Sequence, residues 1–139
     1  MSLTVRIIAP DRTVWDAPAD EVILPSTTGQ LGVLTGHVPM ITALDTGVMR
    51  VRPSGTKDWV AIALMGGFAE VNQDEVTVLV NGAEQGSTID LDEAKAALAQ
   101  AETLLGQLKE DDRQAKIQAT QALKRARARV QAAGGVVPI

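Results

Sequence analysis

The stretch EVTVLVNGAEQGSTIDLDEAKAALAQ, residues 75–100, contains the change of period that decides the fold. Val76, Val78 and Val80 recur at every second residue, the spacing of a strand with one buried face. From residue 90 the apolar positions Leu91, Ala94, Leu98, Ala101, Leu105 and Leu108 recur at steps of three and four, the spacing of a helix face. Asp90 stands at a natural N-cap position, with Glu93 three residues on in capping-box spacing, so a helix is predicted to begin at Leu91. The chain reads as β before this point and α after it.

Working back towards the N-terminus, TVRII, EVIL, GVMRVR and DWVAIALMGG are further apolar runs at intervals of about ten residues, cut by the turn signals AP, PSTTG, PSGTK and NQD. In GVMRVR, Met49 and Val51 alternate with Arg50 and Arg52. The fold class predicted for residues 1–86 is an all-β sandwich or small barrel of about ten short strands, with a core of Val, Ile and Leu because Trp15, Trp59 and Phe68 are its only aromatics. Working forward, Asp111 or Asp112 can cap a second helix after a polar KEDD turn at 109–112. Ala115, Ala119, Ala122, Leu123, Ala126, Val130 and Ala133 form its apolar stripe, and Gly134-Gly135 ends it. Residues 87–139 are thus predicted to be a helical hairpin.

An alanine stripe buries little area, so the docking of these helices contributes little, although both are rich in strong helix formers. That combination describes either a two-state element or a static hairpin with a solvated face. Charge is unevenly placed. Residues 1–86 hold ten acids against five bases, whereas residues 113–139 hold six bases and no acid. The basic run ALKRARARVQ at 122–131 has three readings: cations offsetting a helix dipole, a nucleic-acid arm, or a contact for an acidic protein surface. The arm lacks aromatics for stacking and hangs on an acidic domain, so no nucleic-acid partner is expected.

Catalysis finds no support. With no cysteine and one histidine the chain offers no metal cluster, and no phosphate loop or dinucleotide fingerprint is present. Gly29, Gly32 and Gly36 in TTGQLGVLTGH are spaced as turn glycines. His37 is a loop residue satisfied by nearby backbone or a contact residue, since no nucleophile setting accompanies it. No window reaches the roughly 18 apolar residues of a membrane span, and the N-terminus lacks a signal pattern. The chain is expected to stay where it is made, or to reach an organelle with its targeting segment removed.

Six segments in order carry a family resemblance: DRTVWD at 11–16, GQLGVLTGHVP at 29–39, ALMGGFAEV at 63–71, EVTVLVNGAE at 75–84, LDEAKAALAQAE at 91–102 and KRARARV at 124–130. The chain resembles the epsilon-subunit family of the F-type ATP synthase, in its cyanobacterial and chloroplast form. The resemblance implies a β-sandwich that docks on the gamma subunit and the c-ring, with a helical arm that acts as a brake on ATP hydrolysis. On this basis Gly29, Gly32, His37 and Pro39 are candidate contacts for gamma and the c-ring. Lys124, Arg125, Arg127 and Arg129 are candidate inhibitory contacts with the beta subunits of the alpha/beta catalytic head. It further implies a monomer when isolated, with no membrane insertion, peripheral on the cytoplasmic or stromal side of the thylakoid membrane. Some members bind ATP through an [IL]DxxRA motif in the first helix. Here the motif reads LDEAKA, with Asp92 kept and Lys95 in the arginine's place, while Arg125 and Arg129 remain available. Lysine lacks the bidentate fork, and the next basic position is Glu102, so weak ATP binding or none is expected, and no other cofactor. The alternative function is an ATP-sensing small-ligand module with a conformational hairpin.

Overall fold

The computed structural model describes residues 2–109 and 111–135. The strands are β1 (Leu3–Ala9), β2 (Arg12–Ser26), β3 (Gly29–Val33), β4 (Met40–Pro53), β5 (Val60–Asn72), β6 (Glu75–Val80) and β7 (Ala83–Gln85). A 3-10 turn at Gly86–Thr88 leads into α1 (Leu91–Gln107) and α2 (Arg113–Ala132). The order β1-β6-β5-β4-β2-β3, with β1 also paired to β2, closes the sheet on itself and leaves β3 outside the ring. Among the described residues only β1 and β6 run parallel; every other pair is antiparallel.

The expected count of about ten short strands is corrected to seven among the described residues, because β2, β4 and β5 are 15, 14 and 13 residues long. Register shifts in β2 between Ala19 and Glu21, and between Ile23 and Ser26, let one strand bend while remaining hydrogen-bonded. The first half of β2 pairs with β1, and its second half with β3 and β4.

Alternation decides what lies inside. Val76 and Val78 are fully buried, as are Met49 and Val51, together with Leu3, Val5, Ile7, Val22, Leu24, Ile62 and Leu64. Ile62, Ala63 and Leu64 are buried in succession, which a half-exposed strand does not allow. Ala63 points to the outer face, where it joins Val48, Ala61 and Met65 under α2. The hairpin therefore covers one outer patch of β4 and β5.

The caps follow the sequence. Asp90 accepts from the Glu93 N–H at 3.0 Å, and Asp112, of the two candidates, accepts from the Ala115 N–H at 3.1 Å. Of the expected KEDD turn, Glu110 lies outside the described residues. At the far end of α2, Gly134 takes φ 94, with its N–H on the Gln131 carbonyl and the Gly135 N–H on the Val130 carbonyl, a Schellman ending. Asp90→Ala should cost about 1 kcal/mol of helix stability, read as roughly fivefold faster amide exchange across the first turn of α1.

The expected stripe of α2 needs one correction. Ala119, Ala126 and Val130 are buried, but Ala122 is exposed, and Ala128 and Ala132 are buried instead. The helix touches two surfaces, α1 on one side and β4 with β5 on the other, so its C-terminal half buries a wider arc than one stripe. Since α1 packs on α2, the sandwich holds the hairpin chiefly through α2.

Candidate functional site

Two surfaces bring the candidate residues together. The first begins at β3, an uncharged edge strand carrying Gly29 and Gly32, both exposed, with nothing within 4 Å of the Cβ position of either. A turn follows in which the His37 N–H reaches the Leu34 carbonyl at 3.2 Å and Gly36 adopts φ 84. Asp74 fixes this turn from across the molecule: its carboxylate accepts from the Gly36 N–H at 2.7 Å. Asp74 itself sits in the left-handed region at φ 61, in the tight β5–β6 connection. His37 is half-buried with Nδ1 2.7 Å from the Val38 carbonyl oxygen, the backbone-satisfied arrangement, while Pro39 is exposed.

This loop leads directly onto an apolar face that sequence reading had not singled out. Registers place Ile8 opposite Leu79, Leu79 opposite Phe68 and Phe68 opposite Ala43, a row across β1, β6, β5 and β4. Phe68 is 60% exposed, Leu79 54%, Ile41 71% and Val38 70%. A signal existed: Leu79 interrupts the polar positions of EVTVLV, putting an aliphatic on the face opposite Val76, Val78 and Val80. Contiguous exposed apolar area of this kind marks a docking surface.

The second surface is the seat of α2. Arg129 Nε lies 2.7 Å from Glu84 Oε2, and Lys124 Nζ lies 3.6 Å from Asp45 Oδ1. Arg125 is exposed and shares with Arg129 an open cleft of about 680 Å³, also lined by Asp11, Arg12 and Glu84. Arg12 is anchored there through Nη2, which donates to the Ala83 carbonyl at 3.1 Å. Arg127 is exposed to solvent. Among the described residues the four basic candidates are thus split: two are held by acids of the sandwich and two are not so held.

Of the four candidate ATP contacts, only Arg125 and Arg129 come together. Asp92 and Lys95 are exposed within the first five residues of α1 and do not line that cleft. Glu84, Asp45 and Arg12 were missed because a contact between distant segments, whether an ion pair or the Arg12 bond to the Ala83 carbonyl, leaves no local spacing to read.

Residues 2–86 match the family model described as the ATP synthase delta/epsilon chain, beta-sandwich domain, and residues 87–134 match that of its long alpha-helix domain. The ATP synthase epsilon chain of Synechococcus elongatus is 70% identical over 139 residues, covering 100% of both chains. That of Trichormus variabilis is 69% identical over 137 residues, covering 99% of this chain and 100% of the relative. A cryo-EM structure of the Euglena gracilis mitochondrial ATP synthase, comprising OSCP, F1 and c-ring, holds a chain that superposes with a TM-score of 0.80 at 24% identity. That match covers 95% of this chain and 81% of the other, and shows the same fold. Sandwich, hairpin and full-length identity agree: the chain belongs to the ATP synthase delta/epsilon family, on its epsilon-chain branch, a family of non-catalytic subunits of that rotary complex.

Proposed function

We propose that this chain is a central-rotor subunit of a proton-translocating F-type ATP synthase, in which residues 1–86 dock and residues 87–139 form a regulatory arm. The observation that carries this reading is the attachment of the arm. α2 meets the sandwich through small side chains such as Ala128 and Ala132, while Arg125 and Arg127 face solvent. Alanine contacts at about 25 cal/mol per Å² make a seat that a competing partner can empty.

The sandwich couples the gamma subunit to the c-ring. The apolar row through Phe68 and the adjoining loop with His37 and Pro39 supply one continuous surface for gamma, and the glycine-rich edge at Gly29 and Gly32 lies where the ring would meet it. The raised arm presents Lys124, Arg125, Arg127 and Arg129 to acidic segments of the beta subunits and so opposes ATP-driven rotation. Among the described residues no helix is long and apolar enough to cross a membrane. A rotor subunit docked on gamma and the c-ring would lie peripherally, on the cytoplasmic or stromal side of the thylakoid. ATP binding is weak or absent on this reading, because Asp92 and Lys95 stand apart from the cleft that Arg125 and Arg129 line. The same separation weighs against an ATP-sensing module.

The test is ATP hydrolysis by a reconstituted alpha-beta-gamma head, titrated with the full chain and in parallel with residues 1–86. Inhibition by the full chain alone, at ratios where the sandwich still binds, places the brake in the helices. Equal inhibition by both removes the arm from the mechanism.

A further inference from the structure

We infer that Glu84 and Asp45 form an acidic latch that occupies the arm's own inhibitory cations, so that the docked state is held by intramolecular ion pairs without a nucleotide. This deepens the brake reading and rests on it for its functional consequence.

The geometry is a clamp. Lys124 and Arg129 are five residues apart, about 140° around the helix, so the two ion pairs grip different flanks of α2. Asp45 stands on β4 and Glu84 on β7, on either side of β5. Glu84 is placed rigidly because it pairs with Ala63, the fully buried residue beneath α2. The contacts are unequal. Arg129 and Glu84 are 28% and 39% exposed at 2.7 Å, whereas Lys124 and Asp45 are 44% and 50% exposed at 3.6 Å. A short, partly shielded guanidinium–carboxylate bond exceeds a long, solvated ammonium pair, so Glu84 holds and Asp45 assists. Because the apolar seat of α2 is mostly alanine, these pairs form a large share of what keeps it down.

The latch also explains how the arm can be released. An acidic surface on a partner competes for the same Arg129 and Lys124, so on leaving the sandwich the two cations exchange one carboxylate contact for another, while the half-exposed Glu84 and Asp45 are left to water. The docking equilibrium is then set by relative carboxylate access and by ionic strength.

The chain has no native cysteine, so Ser54→Cys and Gln121→Cys provide two unique label sites on the sandwich and α2, and the distance between them reports docking in the full chain. Glu84→Gln is expected to raise the undocked-to-docked ratio roughly fivefold, Arg129→Gln by a similar factor, and Asp45→Asn less than about twofold. Glu84→Gln with Arg129→Gln should do no more than either alone, the signature of a direct pair. Added salt should loosen the parent chain and leave the Glu84→Gln, Asp45→Asn double variant nearly unmoved. Unchanged ratios, or effects of Glu84→Gln and Arg129→Gln that simply add, overturn the latch. Hydrolysis by the head is scored separately: looser docking without stronger inhibition leaves the latch standing and defeats the brake reading.

Discussion

Gly86→Ala is expected to lift the C-terminal end of α2 off the sandwich while leaving the sandwich folded. A Cβ built at Gly86 would lie 1.8 Å from the Ala132 carbonyl oxygen, 2.6 Å from its carbon and 3.2 Å from the Ala61 carbonyl oxygen. All three are backbone atoms, so no side chain can swing aside. Either β5 or α2 must move, and β5 is hydrogen-bonded to β4, β6 and β7, whereas α2 rests on small side chains. The helix yields first. Overpacking at the upper end of its usual range, about 3 kcal/mol, shifts the docking equilibrium by roughly a hundredfold or more. Trp15 and Trp59 line the cleft that also contains Gly86, Ala132 and Ala133, so their emission should shift to the red as that cleft opens. The melting of the sandwich should hardly change, and the assembled head should be more strongly inhibited. If Gly86→Ala lowers the melting temperature of the sandwich by the same amount as it loosens the arm, the two parts unfold as one unit and the arm is not an independent two-state element.

What could be read in advance follows from the range of the interactions. The switch of period at residue 90, the N-cap at Asp90 and the glycine ending at Gly134 are local, set within four or five residues, and the structure has all three. The strand count was not local. Gly66-Gly67, which close the apolar run DWVAIALMGG, lie inside β5, where glycine lets the strand pass close to its neighbour and continue to Asn72. Ala128 and Ala132 also escaped, since one stripe at 100° per residue describes a helix with one neighbour, and α2 has two.

The site was legible as a set of charges and not as pairs. Composition located the basic run at 124–129, but the identity of its partners depends on β4 and β7 meeting α2, which are 79 and 45 positions away along the chain at Asp45–Lys124 and Glu84–Arg129. The glycines of the Gly29 to Pro39 loop mark only its turns, and its place among the candidate contacts came from the family resemblance, while the anchor that fixes it, Asp74, contributes through a hydrogen bond across 38 positions. Register likewise brings Ile8, Leu79, Phe68 and Ala43 into one row, although they come from four strands.

That row supports the other large effect. Phe68→Asp is expected to leave the isolated chain folded and to weaken its binding to the rotor by about 30-fold or more. Phe68 is 60% exposed, so the folded chain loses little packing when it is replaced, whereas Ala69 and Val71 beside it in β5 are buried and carry the core. In the assembly the balance reverses. Phe68 is flanked on its face by Leu79 and Ala43, so a partner seated there would cover the ring on all sides and exclude water from it. A carboxylate at the centre would then be desolvated, with Glu70, the next outward residue of β5 and itself an acid, beside it. Val38→Asp, in the loop that leads onto the face, should weaken binding by less, because a rim position stays hydrated. The measurement is Kd for the gamma subunit, with the thermal unfolding of each variant followed alongside. Normal folding with lost binding assigns this face to gamma. Binding that survives Phe68→Asp moves the gamma contact to another face and leaves the row to the c-ring.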